Sequence, residues 1–219
     1  GSICRKTVVA VRQDDTFRMA YRLMVDHGVR AVPVLNNGGE VRGLLHFLDL
    51  LQLLLPPATD GRNVKLLHAS LENIGATLGA SDDCGATPPS DEEGLIMMVG
   101  ASSQETVGRR LEAAREEGVV SKYLVICGDR PFVHKQALDY GTSALIVTGG
   151  YKPDEKIASR AKEKGMIILF SSHDTATTVQ LALCARKVRN LISDDFMSLA
   201  SNEVVTRLSG NVAASSQVL

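Results

Sequence analysis

The sequence predicts an α/β protein in two parts: a small β-α-β-β-α unit, then a larger domain whose mainly parallel sheet is flanked by helices. Three observations carry this reading. Pro56-Pro57 closes the first part with the clearest break in the chain. After residue 95, four apolar runs follow one another, "LIMMVG", "YLVICG", "ALIVTGG" and "MIILFS". Stretches with helical spacing separate these runs, at about 103–117, 131–140, 153–164 and 174–189. Strands buried on both faces read as continuous apolar runs, and their alternation with helices is the pattern of a parallel sheet.

In the first part, "TVVAV" (Thr7 to Val11) is a β-branched run suited to a strand. "DDTFRMAYRLMVDHG" places Phe17, Ala20, Tyr21, Leu23 and Met24 at helical spacing, with Gly28 as a stop. "AVPVL", "NNGG" and "VRGLLHF" read as two strands joined by a glycine turn. A leucine-rich helix from about Leu48 to Leu54 ends at the prolines, and it holds more leucine than one face of a small unit needs.

Residues 62–80 set Val64, Leu67, Leu71 and Ile74 at three- and four-residue spacing, which predicts one amphipathic helix. "SDDCGATPPSDEEG" reads as a loop. The tail from 191 onward, with a strand-like "FMSL", a capping Ser201-Asn202 and an apolar face of Val204, Val205 and Leu208, looks like the opening strand, turn and helix again. The expected division is therefore 1–57, 62–190 and 191–219, the last being the incomplete start of a second copy of the first unit.

Composition narrows the function. The chain has 219 residues with 24 Lys+Arg against 25 Asp+Glu, a net charge of -1, so no global basic field would collect nucleic acid or an anionic membrane. Its longest apolar stretch, Leu44 to Leu55, is interrupted by His46, Asp49 and Gln52, and neither a membrane span nor a secretory leader is expected. Cys4, Cys84, Cys127 and Cys184 lie far apart without a CxxC pair, which suits reduced thiols in a cytoplasm. The five histidines form no HxH or HxxxH pair, so no metal site is expected in this chain.

Chemistry concentrates in two places. In the first part, the polar "RQDD", the segment "HGVRAVPVL" and "GLLHFLDLL" together resemble a CBS (cystathionine-β-synthase) domain. The family pattern of glycine, two apolar residues, a hydroxyl residue, two more residues and an aspartate falls here on Gly43, Leu44, Leu45, His46, Phe47, Leu48 and Asp49. In that family two units pack together around an adenine nucleotide. The resemblance implies Asp49 as ribose ligand, Arg30 as a phosphate contact and Gly43 as a point of close backbone approach. His46 departs from the hydroxyl, although an imidazole can also hydrogen-bond phosphate. Plainer roles stand beside these: Asp49 as a helix-opening acid, Arg30 solvated, and Gly43 relieving crowding in a strand.

Residues 72–190 resemble a DRTGG domain, whose two-part motif stands as Gly128-Asp129-Arg130 and Thr148-Gly149-Gly150, supported by "HDTATT" with Asp174 and Thr175. Backbone N–H groups at these turns, together with Arg130, could cradle an anion. The alternative is architecture, with Asp129 capping a turn and Gly149-Gly150 permitting a tight strand-to-helix connection. No GxxxxGK[ST] phosphate loop is present.

The order CBS unit, DRTGG domain and second CBS beginning is similar to the regulatory insert of family II inorganic pyrophosphatases. That resemblance implies a homodimeric module that binds AMP, ADP, ATP or diadenosine polyphosphates and controls attached catalytic domains. The manganese or cobalt and the magnesium of the family belong to those domains, whose aspartates and histidines are not in this sequence, so this chain is expected to have no catalysis of its own. Two alternatives stay open: a CBS/DRTGG sensor that is freestanding or attached to a different enzyme, and a small phosphate-transferring enzyme using the Gly128 and Gly149 turns.

Overall fold

The computed structural model describes residues 8–53, 65–79 and 94–190. The Pro56-Pro57 break, most of the 81–94 loop and the tail from 191 onward lie outside the described residues. The described chain forms two units, one of residues 8–53 with 187–190 and one of residues 65–79 with 94–186.

In the first unit, β1 (Val11–Arg12) runs parallel to β2 (Ala31–Leu35), and β2 pairs antiparallel with β3 (Val41–His46). The hairpin turn follows the sequence closely, because Asn36 Oδ1 accepts from both Gly38 N and Glu40 N and Gly39 supplies a positive φ of 81°. Helix α1 (Phe17–His27) begins at Thr16, whose hydroxyl accepts from Met19 N, and stops at Gly28 with φ 60°. Val11, Phe17, Ala20, Met24, Val32, Val34, Leu45 and Leu50 make a core on one face of the sheet. Alternation sends Arg12, Ala31, Pro33, Leu35, Leu44 and His46 to the other face.

Three details depart from expectation. Among the described residues the first strand is Val11–Arg12, later than the 7–11 expected: residues 8–10 lie outside the pairing, Gln13 N still donates to Leu35 O, and Arg12 N donates to Asp15 Oδ2 where the chain turns. The helix expected from Leu48 is a 3₁₀ segment, Phe47–Leu53, which starts while Phe47 N is still held by Arg30 O at the sheet's end. Residues 187–190 join this unit instead of the domain expected to run to 190, with Val188 N donating to Asp15 O, Arg189 N to Gln13 O, and Arg189 paired with Asp14.

The second unit has a five-stranded sheet in sequential order: β4 (Lys65–Leu67), β5 (Leu95–Val99), β6 (Tyr123–Cys127), β7 (Ala144–Val147) and β8 (Ile167–Phe170). Only β4 is antiparallel to its neighbour. Helices α3 (Gln104–Glu116), α4 (Pro131–Tyr140) and α5 (Glu155–Glu163) cover one face, as right-handed crossovers between sequential strands require. Helices α2 (Leu71–Leu78) and α6 (Thr175–Leu183) cover the other. The strands serve both cores by strict alternation: Leu124, Ile126, Ala144 and Ile146 face α2 and α6, while Val125, Cys127, Leu145 and Val147 face α3 to α5.

The single helix expected over 62–80 is instead β4 followed by α2. Leu67, Leu71, Ile74 and Leu78 do share one core, but Ser70 caps α2 by accepting from Asn73 N, and the residues before it pair with β5. The last helix ends at Leu183 with Cys184 as its cap, short of residue 189.

Candidate functional site

The loops after β7 and β8 leave toward opposite faces of the sheet, so the crevice where an open α/β sheet usually takes ligand lies between them. Thr148-Gly149-Gly150 and Asp174-Thr175 meet there. Gly149 N donates to His173 O at 2.7 Å and Gly150 N to Ser171 O at 2.9 Å, and both glycines hold positive φ, 78° and 73°. Thr148, 1 % exposed, pairs its hydroxyl with that of Thr175 at 2.8 Å. Ser171 pairs likewise with Thr178 at 2.9 Å. The glycine N–H groups that could have cradled an anion are therefore already donors to the chain's own carbonyls.

Asp174 is engaged as well. Its Oδ1 accepts from Ala176 N and Thr177 N and its Oδ2 from the Thr177 hydroxyl, and these bonds hold its carboxyl below the usual carboxylate range. At the neighbouring turn, Arg130 Nη1 donates to Gly100 O at 2.8 Å and its guanidinium lies over the Phe132 ring, tying the loop after β6 to the loop after β5. Asp129 is exposed beside it. Gly128 O lies 2.9 Å from His134 Nε2, which must carry the proton because a carbonyl only accepts. Burial moves the His134 imidazole below its ordinary pKa. Cys127 ends β6 with its thiol pushed up to about 12 by burial, which leaves it a poor nucleophile.

The small unit presents a different surface. Ala31 and His46 are paired across β2 and β3, and Phe47 N donates to Arg30 O, so Arg30, His46 and Asp49 meet at one end of the hairpin. His46 N donates to Asp49 Oδ2 at 2.7 Å, so Asp49, in the first turn of the 3₁₀ segment, reaches back to cap its start, and Oδ1 has no hydrogen bond to a described residue. Arg30 and His46 are exposed. Gly43 is buried opposite Val34, two or three residues into the sheet from that end.

The sequence places Ser171 at the carboxyl edge of the sheet and Thr178 within "HDTATT", but gives no sign that the two hydroxyls pair. His134 was passed over, although it is a polar position in the otherwise apolar start of α4, visible in "PFVHKQ". Arg12 and Arg42 each adjoin a core position, Val11 and Gly43, and so could have been read as outward-facing cations. Among the described residues, no group of three or more His, Cys, Asp or Glu could hold a metal ion, and no helix is long and apolar enough to cross a membrane.

Comparison with known proteins agrees with both units. A CBS domain model matches residues 1–56 and a DRTGG domain model matches residues 73–184, more than half of the chain. Over 194 residues the chain is 23% identical to a cobalt-dependent inorganic pyrophosphatase of Clostridium perfringens, which takes in 87% of this chain and 33% of that protein. Over 94 residues it is 32% identical to the protein YtoI of Bacillus subtilis, covering 41% of this chain and 21% of that one. The chain thus spans a third or less of these relatives' lengths. A crystal structure of the CBS and DRTGG domains of the regulatory region of the Clostridium perfringens pyrophosphatase, complexed with the activator diadenosine tetraphosphate, shares the fold at a TM-score of 0.70 and 20% identity. It covers 90% of this chain and 87% of that one.

Fold and motifs define a chain that joins a CBS domain to a DRTGG domain. The chain belongs to the DRTGG domain family.

Proposed function

We propose that the chain is a regulatory module that binds an adenine nucleotide at the CBS unit and controls attached inorganic pyrophosphatase domains through rearrangement of a homodimer. The observation that carries the nucleotide site is the convergence of Arg30, His46 and Asp49 at one end of the β2–β3 hairpin. An acceptor for ribose hydroxyls sits there beside a cation and an imidazole for phosphate. The pyrophosphatase assignment draws on the relative matched along 87% of this chain.

Dimerisation is supported by the apolar surface of the same unit. Tyr21, Val25, Phe47 and Leu48 are all exposed, Leu48 at 71%, and the Tyr21 and Phe47 rings lie 6.0 Å apart. A nucleotide that favours one packing of two such units shifts the dimer only by its differential affinity for the two packings.

Isothermal titration with AMP, ATP and diadenosine tetraphosphate tests the site. Asp49→Asn keeps an acceptor for His46 N but removes the charge, and it is expected to weaken binding about tenfold or more without lowering the melting temperature. Equal affinity in the variant would move the nucleotide away from Asp49.

A further inference from the structure

The outward face of the small sheet carries a second cluster of cations, distinct from Arg30 and His46. Arg12 on β1 aligns with Leu35 of β2, and Leu35 aligns with Val41 of β3, next to Arg42. The register shift between Val34 and Leu35 sets both Val41 and Arg42 opposite Leu35, on the side away from the core. Arg12 and Arg42 are both exposed, and neither guanidinium forms an ion pair with an acid among the described residues. Of the nearby acids, Asp14 is paired with Arg189, while Asp15 accepts from Arg12 N and Glu40 from Asn36 Nδ2, bonds that fix their carboxylates without neutralising them.

The spacing gives this pair a use. Arg42 and His46 are four strand residues apart, about 13 Å. Arg12 and Arg42 flank one strand and so stand about 10 Å from each other across the sheet. Between the two basic ends lies an apolar strip of Ala31, Pro33, Leu35 and Leu44, half-buried except for Pro33, which is buried. A ligand anchored at Asp49 with one phosphate ends near Arg30 and His46. A ligand with several phosphates carries charge on toward Arg12 and Arg42.

We infer that Arg12 and Arg42 form a distal phosphate anchor that sets the CBS unit's preference for nucleotides with long polyphosphate chains over nucleoside monophosphates. The inference rests on the nucleotide site proposed above and deepens it by assigning ligand discrimination to residues outside the family pattern. Exposed arginines contribute modestly one at a time, so the preference comes from both together.

The test titrates the full chain with AMP and with diadenosine tetraphosphate, comparing the native protein, the Arg12→Gln/Arg42→Gln double variant and Asp49→Asn. The double variant is expected to lose roughly three- to thirtyfold in affinity for the tetraphosphate. Its AMP affinity should change less than about twofold, the scale of a surface substitution. Asp49→Asn should weaken both ligands. An unchanged tetraphosphate affinity in the double variant, or an equal loss for both ligands, overturns the distal anchor. Should Asp49→Asn leave both affinities intact while the double variant still loses its preference, the anchor stands and the ribose assignment falls.

Discussion

The two units spend their polar groups in opposite ways. In the DRTGG domain, the loops at the carboxyl edge of the sheet are hydrogen-bonded to one another: Gly149 and Gly150 to His173 and Ser171, Thr148 to Thr175, Arg130 to Gly100, and His134 to Gly128. That domain buries both faces of its sheet. The CBS unit packs its core on one, and on the other it leaves Arg12, Arg42 and His46 exposed around the buried Pro33. Groups already bonded within the chain build a frame, whereas exposed cations and exposed apolar side chains are available to partners. The proposed nucleotide site thus falls in the unit with exposed cations, while the larger unit forms a hydrogen-bonded frame.

The largest effect that would break this comparison comes from the buried hydroxyls. Thr148→Val removes one half of the Thr148–Thr175 pair while keeping its shape, and leaves a half-buried hydroxyl without its partner. The cost expected in DRTGG-domain stability is about 1–3 kcal/mol. Denaturation monitored by circular dichroism would show it, and titration at a temperature where the variant is folded should give unchanged nucleotide affinity. A stable variant with altered affinity would instead put ligand at the TGG turn.

How much of this was legible in the sequence differs between the units for physical reasons. The four parallel strands announced themselves because burial on both faces erases polar alternation, so "YLVIC" and "ALIV" could be little else. The hairpin was equally plain, since Asn36 and Gly39 state its turn chemistry directly. Strand β4 was hidden because Leu67, Leu71 and Ile74 share one core, and a shared core across a strand-to-helix break mimics helical spacing. Ser70 was the available signal, as a capping residue three positions before Asn73. The DRTGG turns could be located but their bonding could not, because backbone donors leave no trace in residue type. The outward cluster of Arg12 and Arg42 needed the strand register, which depends on the irregularity at Val34 and Leu35.

A smaller effect on stability, but a visible one on assembly, is expected from Leu48→Glu. Leu48 is an exposed side chain, so the substitution should change folding stability by no more than about 0.5 kcal/mol. A charge placed among Tyr21, Val25 and Phe47 should nonetheless disfavour an apolar contact between copies, and sedimentation velocity should report a shift from dimer to monomer. A variant that remains dimeric would move the dimer contact off this face and sharpen the contrast between the units in a different direction.

The smallest effect lies under the Gly128-Asp129-Arg130 turn and tests whether that turn is held by its buried imidazole. Burial lowers the His134 pKa from its ordinary 6.5, outweighing the bond to Gly128 O and the charge of Asp129, both of which raise it. The folded state therefore binds this proton less readily than the unfolded chain does. The contribution is complete above about pH 6.5 and is lost as pH falls below that value through the folded pKa. His134→Gln retains an N–H donor for Gly128 O but does not titrate, so melting temperatures between pH 7 and 5 should fall less steeply in the variant than in the native chain. Other titrating groups are common to both proteins and cancel in the difference. Parallel profiles would mean that the turn does not rely on a neutral His134, and that the packing of α4 around Val133 and Ala137 fixes it instead.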